Sequence, residues 1–463
     1  MKQERQSEDR IPLVTVEVYE PGSRPRHADY TCRIGRDLVI DPERIGRFCL
    51  KELEPIVDDL VLVAGAVAYT DRVVARQPSI AWRRDLHVAI PVHDPDRWKD
   101  PALYRQLIGT LDYVTGDTWT ISFKHRQHRT PVTLQPLLSL PSEGALVIPF
   151  SDGLDSFAVS RLIAADHPNT PLILVTIGRH KNRALDRCNA SLGKAISRVA
   201  IPFHLSQKRR RVRFREASYR SRAFVFGVIA GIAAYQAGAS TIYVAESGQG
   251  SLGPWLRPVG NEAPDVRMHP SFSSRLSAFL SLVFGRTMSH LHPQLWHTKG
   301  ETLRMLAERE LADEWWRTSS CARDQRHVFQ DDQKIQCGVC AGCLLRRQSL
   351  FAADLASEHE RYLWDNLRVP TLNEAVEGRT TTPNDVQQAL CAVLEMQGFG
   401  DMLSQPEQIR TAAEDLAPFV DLNAHAVETN LTRLISAHAS EWKLYRETLG
   451  SESFINRWLD VLK

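Results

Sequence analysis

The sequence has few cysteines, no excess of either charge and no long uninterrupted apolar segment. Eight cysteines occur in 463 residues, and the formal net charge is only +2 at pH 7. A balanced charge gives no general attraction to nucleic acid or to a membrane surface. The longest apolar segment, Phe224 to Ala239, is interrupted by Gly227, Gly231 and Gln236 and is too short to cross a bilayer. We therefore expect no membrane partner.

The amino-terminal segment also lacks the apolar core of an export signal, since residues 1–10 read MKQERQSEDR. Four cysteines are scattered singly, as is typical of reduced, buried thiols. They are Cys32, Cys49, Cys188 and Cys391. Together these features predict a cytoplasmic protein. The chain is too long for a single core, so we expect two or three domains.

Residues 145–160, ALVIPFSDGLDSFAVS, carry the most informative pattern. The apolar run 145–150 is typical of a buried parallel strand, and helical apolar spacing begins at Phe157. The turn 151–156 between them has the pattern S-x-G-x-D-S. A loop that joins a strand to a helix presents unpaired backbone N–H groups to an anion, and Gly153 lets a phosphate approach closely.

The acid in this loop, Asp155, cannot bind a phosphate directly. It would cap the helix, hold the loop or ligate a magnesium ion beside the phosphates. The sequence contains no G-x-x-x-x-G-K-[ST] pattern, so the loop is not a Walker loop. The pattern favours a nucleotide site, and the alternative is a serine-capped helix that follows a core strand.

A second pattern has the spacing C-x15-C-x2-C-x2-C and comprises Cys321, Cys337, Cys340 and Cys343. Four thiolates, three of them close together on glycine-bearing turns, suit a closed tetrahedral zinc site. Such a site leaves no position for water, so its role would be structural. An iron–sulfur cluster is the chemical alternative, because four cysteines can hold either.

Strands and helices alternate in the middle of the chain, which predicts an α/β domain with a doubly wound parallel sheet over residues 142–355. Its strands are predicted at 145–150, 172–177, 202–205 and 241–245, and its later helices at 184–199 and 221–237. Residues 1–141 are predicted to form an α+β accessory domain. Its strands are expected at 13–20, 86–92 and 118–124, and its helices at 42–59 and 101–111. Residues 356–463 have helical spacing and no strand pattern.

Further candidate ligands lie at the carboxyl ends of these strands, where α/β sheets bind ligands. Thr176 ends one strand, and Glu246 and Gly248 lie in the glycine-rich segment that follows another. Arg222 begins a helix and has the donor geometry that phosphates require. The basic run 208–215 is either a phosphate or nucleic-acid contact or a solvated loop.

Thr298 and Lys299 precede a further predicted helix, where a lysine and a hydroxyl would lie near another positive helix start. The alternative interpretation is a plain capping box, which Thr298 and Glu301 also fit.

The order of these motifs resembles the 7-cyano-7-deazaguanine synthases, QueC-like enzymes of the PP-loop ATP pyrophosphatase family. The resemblance covers residues 145–355 and is most specific in the segment 337–346, CGVCAGCLLR. The additional terminal regions are similar to those of the QatC type, which belongs to bacterial antiphage operons. The resemblance implies a PP-loop fold, ATP with Mg²⁺, and one zinc ion held by the four cysteines.

The resemblance also implies a reaction: the carboxylate of 7-carboxy-7-deazaguanine is adenylated and passed to a nitrogen nucleophile, either ammonia or an amine on a partner protein. Asp155, Ser156 and Lys299 are the expected catalytic residues. The expected ATP-binding residues are Phe150, Ser151, Asp152, Gly153, Leu154, Asp155, Ser156, Phe157, Thr176, Arg222, Glu246, Gly248, Thr298 and Lys299.

Two positions depart from the family pattern. Asp152 stands where the family usually has glycine, and residues 253–272 replace the family's substrate loop. In that segment, Asp265 and Trp255 are candidates to contact a guanine-like ring. Two other functions stay open at this point: a tRNA-modifying or thiolating PP-loop enzyme, and a non-catalytic nucleotide-gated scaffold of a defence complex.

Overall fold

The described part of the structure, a computed structural model, contains two sheets in which all strands run parallel, together with thirteen α-helices. It describes residues 11–40, 54–77, 81–127, 144–177, 196–201, 203–205, 214–258, 262–323, 329–330, 333–355 and 359–461. The predicted basic run up to residue 213, Gly178, Cys49, Cys188 and most of the helix predicted at 184–199 lie outside these residues.

The first sheet belongs to the amino-terminal region and has the strand order β2-β1-β4-β5. Its strands are β1 (Leu13–Tyr19), β2 (Tyr30–Arg33), β4 (Asp85–Val92) and β5 (Thr118–His125). All three pairings are parallel, so the predicted α+β organisation is wrong and this region is α/β. The helices are α1 (Pro55–Val73), α2 (Pro95–Trp98) and α3 (Pro101–Thr115).

Of the helix predicted at 42–59, residues 42–53 lie outside the described residues, and Pro55 to Asp59 form the first turns of helix α1. It begins with a proline in its first turn, which needs no hydrogen-bond partner there, and continues to Val73. Most of its side chains are buried, because it lies between the first sheet and helix 222–236 of the central region. A helix that is buried on several sides shows no amphipathic period, so its carboxyl half has no helical signature in the sequence.

The second sheet forms the centre of the molecule and has the strand order β11-β10-β6-β7-β8. Its strands are β6 (Leu146–Pro149), β7 (Leu172–Ile177), β8 (Ile196–Ile201), β10 (Thr241–Tyr243) and β11 (Ser289–Leu291). Each neighbouring pair is parallel. Numbered along the chain, this order is the 3-2-1-4-5 arrangement of Rossmann-like sheets. The central α/β prediction is therefore confirmed at the level of a Rossmann-like fold.

The third strand of this sheet differs from the prediction. Residues 196–201, the end of the predicted helix 184–199, form β8 and pair in register with β7. Residues Phe203–Leu205 form β9, which pairs antiparallel with β3 (Leu38–Ile40) instead of entering the central sheet. The β-branched residues Ile196, Val199 and Ile201 suit a strand, and pairing with β7 outweighs the local helical spacing.

Helices cover both faces of the central sheet. Val147 faces a core shared with α5 (Arg222–Gln236), α7 (Pro270–Phe284) and the amino-terminal region. Leu146 and Ile148 face the opposite core. That core is formed with α4 (Leu154–Asp166), α8 (Lys299–Glu308) and α9 (Ala341–Ala352). The alternation of side chains along β6 explains why neighbouring residues enter different cores.

The carboxyl-terminal region is helical, as predicted. It contains α10 (Pro383–Asp401), α11 (Pro406–Leu416), α12 (Ala424–Leu449) and α13 (Phe454–Val461). These helices pack against the cysteine segment and against α6 (Gly248–Leu256). In the described part of the chain, no helix is both long and apolar enough to cross a membrane.

Candidate functional site

A cleft of about 400 Å³ lies at the carboxyl ends of β6 and β10. These strands are neighbours in the sheet, but the chain leaves them toward opposite edges. Such a switch point opens a crevice outside the strand ends, where doubly wound sheets bind their ligands. The segment after β6 lines one wall, and the segment after β10 lines another.

The predicted phosphate loop lies in this cleft. Ser151, Gly153, Asp155 and Ser156 all line it. The hydroxyls of Ser151 and Ser156 are 3.0 Å apart, and the Ser151 N–H lies 3.4 Å from Ser156 Oγ, which closes the turn. The loop leads into α4, whose first N–H groups have no acceptor within the helix and favour an anion.

Asp152 adopts a left-handed backbone conformation, with φ +58°. Asparagine and aspartate tolerate this region better than other residues, but only glycine adopts it without steric cost. Asp152 therefore carries a steric cost in this conformation that a glycine would not. The Asp152 carbonyl accepts a hydrogen bond of 3.0 Å from Ser319 N–H, which ties the loop to the segment before the cysteines.

Three ionisable side chains meet beside the cleft, which two of them, Asp155 and Glu246, line. Lys299 Nζ lies 2.7 Å from Asp155 Oδ2. Glu246 forms a hydrogen bond with Asp155, and Gly250 leaves the room it needs, because a Cβ there would lie 2.1 Å from Glu246 Oε1. The sequence predicted each of these charged residues separately, and the fold brings them together.

The two acids and the lysine shift each other's protonation. Burial first, and then the neighbouring Asp155, raises the pKa of Glu246 to about 8. Burial alone lowers the pKa of Lys299, but the charges of Asp155 and Glu246 more than compensate and raise it. Without a further cation, Glu246 is therefore protonated at neutral pH, and a cation bound between the two acids would release that proton.

Thr298 caps the helix that carries Lys299. Its hydroxyl accepts from Glu301 N–H at 2.9 Å, and Glu301 Oε2 accepts from Thr298 N–H at 2.8 Å. The capping box, which was the alternative interpretation, is therefore present. The Thr298 hydroxyl also donates to Glu441 Oε1 at 2.6 Å, so its contacts are with protein groups.

Several predicted ATP-binding residues lie in the core behind the cleft. Phe150, Leu154 and Phe157 are fully buried and pack in the core beneath α4. Thr176 donates a hydrogen bond of 3.1 Å to the Phe150 carbonyl. Gly248 begins α6, where a Cβ would lie 2.3 Å from the Leu295 carbonyl oxygen, so its role here is close packing.

Arginines line the opposite part of the cleft. Arg222 is exposed and, within the described part of the chain, forms no ion pair. Arg267 also lines the cleft and is paired with Asp265, with Nη2 and Oδ2 2.5 Å apart. Arg220 is buried and pairs with Glu262 at 3.0 Å, so it holds the 262–265 loop. Among the described cleft residues, Arg222 is therefore an arginine that has no acidic partner and could contact an anionic ligand.

The remaining wall is apolar and was not predicted. Phe226, Phe272 and Leu276 line it, together with His290 from the last strand. The sequence signal for this wall was weak, because these residues belong to helices and a short strand whose apolar pattern fits a protein core equally well. Trp255, predicted to stack on a ring ligand, instead contacts His269, with ring centroids 4.3 Å apart.

The four predicted cysteines come together as a compact sulfur cluster. Their Sγ atoms all lie within 4.8 Å of one another, and those of Cys337 and Cys343 are 3.7 Å apart. Four sulfurs about 2.3 Å from one tetrahedral zinc ion would be about 3.8 Å apart. The cluster can therefore hold a metal ion such as zinc.

The surroundings of the sulfurs also suit a metal. Cys337 N–H and Cys340 N–H lie 3.4 and 3.3 Å from the sulfurs of Cys321 and Cys337. Hydrogen bonds from the neighbouring thiols lower the pKa of Cys321, while the same contacts raise the pKa of Cys343. Four crowded thiols thus resist full deprotonation by themselves, and a bound cation would remove that penalty.

Comparison of the chain with models of known protein families and with curated proteins gives no match. The site consists of a serine- and glycine-bearing loop at a helix start, a lysine beside two acids, an arginine without an acidic partner among the described residues, and a separate cysteine cluster.

Proposed function

We propose that this protein is an ATP-dependent enzyme that adenylates a carboxylate, with a central domain of the PP-loop type. The observation that carries the proposal is the contact between Lys299 and Asp155 beside the loop 151–156. It places a fixed cation next to Asp155, which lines the cleft in the first turn of α4. Both groups stabilise negative charge, which adenylyl transfer spreads over the phosphates.

In this proposal, the triphosphate of ATP lies on the loop, where the N–H groups of α4 and the hydroxyls of Ser151 and Ser156 donate to its oxygens. Asp155 and Glu246 are adjacent carboxylates at the same point, and such oxygens suit Mg²⁺. A magnesium ion there would neutralise phosphate charge. Lys299 holds Asp155 in place and supplies a further positive charge to the departing pyrophosphate.

The acid substrate lies in the other half of the cleft. Phe226, Phe272 and Leu276 provide an apolar wall for a flat ring, and Arg222 binds its carboxylate. The substrate carboxylate attacks the α-phosphorus, pyrophosphate leaves, and an acyl-AMP forms. A nitrogen nucleophile then attacks the acyl carbon and loses a proton, the acyl C–O bond breaks, and AMP leaves with one oxygen of the original carboxylate.

The resemblance to 7-cyano-7-deazaguanine synthases supports 7-carboxy-7-deazaguanine as the acid, and ammonia or a protein amine as the nucleophile. In antiphage operons, such an amine would belong to an operon partner. A thiolating enzyme is less well supported, because the described cysteines outside the cluster, Cys32 and Cys391, do not line the cleft.

For the cysteine cluster we propose one structural zinc ion. The short sulfur–sulfur distances leave space for a single ion, whereas an iron–sulfur cluster would place several irons between the cysteines. The ion would hold the segment 337–343 against the carboxyl-terminal helices, away from the chemistry in the cleft.

The proposal is tested by incubating the full-length protein with Mg²⁺, ATP and 7-carboxy-7-deazaguanine, and by measuring AMP and pyrophosphate. We expect both products only when the acid is present, and mass spectrometry should find the acyl group on the supplied ammonia or protein amine. ATP turnover that is indifferent to the acid, or absent, would overturn the proposal. A Ser151→Ala, Ser156→Ala variant serves as the matched control for phosphate-loop dependence.

A further inference from the structure

The carboxyl-terminal helix α12 reaches the turn that carries Lys299. Glu441, on α12, is buried and accepts a hydrogen bond of 2.6 Å from the Thr298 hydroxyl through Oε1. Its other oxygen, Oε2, accepts from Gln348 Nε2 of α9 at 3.2 Å. One side chain of the terminal region therefore joins the turn before Lys299 to the helix of the cysteine cluster.

A second contact from the same helix reaches the backbone of Lys299. The Lys299 N–H donates to Gln249 Oε1 at 2.7 Å, and Gln249 Nε2 lies 2.8 Å from His438 Nδ1. His438 Nε2 lies 2.7 Å from the Met396 carbonyl. Since a carbonyl only accepts, Nε2 carries the proton and Nδ1 accepts from Gln249. Burial lowers the pKa of His438 to about 4, which keeps this arrangement neutral and fixed.

Helix α12 packs so closely against the starts of α6 and α8 that only glycine fits at the two contact positions. A Cβ on Gly300 would lie 2.5 Å from Glu441 Oε1, and a Cβ on Gly248 would lie 2.7 Å from Leu434 Cδ2. Glycine within a helix costs about 1 kcal/mol relative to alanine. The close approach of α12 is a physical reason for glycine at both positions.

We propose that Glu441 and His438 are positioning residues that hold the Lys299 turn so that its ammonium group reaches Asp155 and Glu246. The carboxyl-terminal region then helps to position a residue beside the cleft, although none of its described residues lines the cleft wall. The catalytic part of this inference rests on the proposed adenylating function, whereas the structural part, the ordering of the turn, does not.

The structural part is tested by hydrogen exchange of the full-length protein without ligands. In Glu441→Ala and His438→Ala, the Lys299 amide should exchange at least tenfold faster, because His438 fixes its acceptor Gln249 and Glu441 fixes the neighbouring Thr298. Leu449→Ala is the matched control, since Leu449 is buried on the same helix but packs in the separate carboxyl-terminal core. Unchanged exchange in Glu441→Ala, or an equal increase in Leu449→Ala, would overturn the inference.

The catalytic part is tested by AMP formation with the same variants. Glu441→Ala should lower kcat on the order of 10- to 100-fold, as small misplacements of catalytic groups do, with KM for ATP changed less than about twofold. Glu441→Gln should restore most of the activity. Its amide can still accept from Thr298, and it can donate to Gln348 Oε1, which is buried and has no partner.

Burial raises the pKa of Glu441 to about 7, so the glutamine also changes the charge at this position little. Equal kcat in Glu441→Ala and wild type, or failure of Glu441→Gln to recover activity, would contradict the positioning role. If the wild-type protein forms no AMP, the proposed function fails, and the exchange measurement still decides whether the terminal helix orders the turn.

Discussion

Lys299 and Asp155 are 2.7 Å apart, although each lies in the first turn of a different helix. An acid is favoured at a helix amino terminus, whereas a lysine there opposes the helix dipole. The lysine is stable in this position because two carboxylates face it. A change in any one of these three groups should therefore alter the protonation of the other two.

Removing the lysine should separate its catalytic and structural effects. Lys299→Met keeps the length of the side chain but leaves Asp155 and Glu246 without a cation, so AMP formation should fall on the order of 10²- to 10³-fold. The free energy of unfolding should fall by about 3 kcal/mol, as when a buried ion pair loses one partner. In the double variant with Asp155→Asn, the unfolding free energy should fall by less than the sum of the single effects.

The protonation of Glu246 predicts the pH dependence of stability. Its pKa in the folded protein, about 8, lies above its ordinary value of 4.5, so the folded state binds the extra proton. The stability that this proton contributes is complete below the ordinary pKa and is lost as pH rises through the folded pKa. Thermal denaturation between about pH 5 and pH 9 should therefore show a decline that Glu246→Gln reduces. Identical slopes in both proteins would contradict this assignment.

Asp152 provides a test of the loop charge. Its carboxylate belongs to the loop that would hold the phosphates, so Asp152→Asn should tighten ATP binding roughly fivefold, or about 1 kcal/mol. Asp152→Gly should tighten it similarly and also relieve the left-handed backbone. Calorimetric titration with a non-hydrolysable ATP analogue measures both variants. Weaker binding by Asp152→Asn would show instead that the carboxylate takes part in holding the cation.

Arg222 is expected to select the acid substrate. Arg222→Ala should raise KM for the acid about tenfold or more, as loss of a charged hydrogen bond does, and leave the affinity for ATP unchanged. The KM of Arg222→Lys for the acid should lie between those of the wild type and Arg222→Ala, because lysine keeps the charge but lacks the planar donors. Arg215→Ala, at an exposed position away from the cleft wall, is the matched control. A weaker affinity for ATP in Arg222→Ala would assign the arginine to a phosphate.

The cysteine cluster predicts the metal content and its effect on stability. Elemental analysis of the purified protein should find one zinc per chain and little iron. Cys340→Ala should lower zinc binding and the unfolding temperature, since the cluster packs in one core with Trp364 and Trp442. Stoichiometric iron with visible absorption would overturn the zinc assignment.

The sequence predicted the parts whose signals are local. The apolar run before Ser151, the turn after it and the cysteine spacing each depend on residues close together in the chain, and the structure contains all three. Pairing between strands that are distant in the chain was harder to predict from the sequence. Residues 196–201 have a spacing that also fits a helix, and only their register with β7 makes them a strand.

The sequence by itself determined that a serine- and glycine-bearing turn follows a buried strand and that four cysteines can meet at one ion. Only the tertiary structure decided that Glu246 and Lys299 face Asp155, that Arg222 faces the cleft while Arg220 is paired, and that Glu441 supports the lysine turn. The reason is physical. A local pattern fixes backbone conformation within a few residues, whereas the pairing of buried charges depends on which strand ends the sheet order brings together.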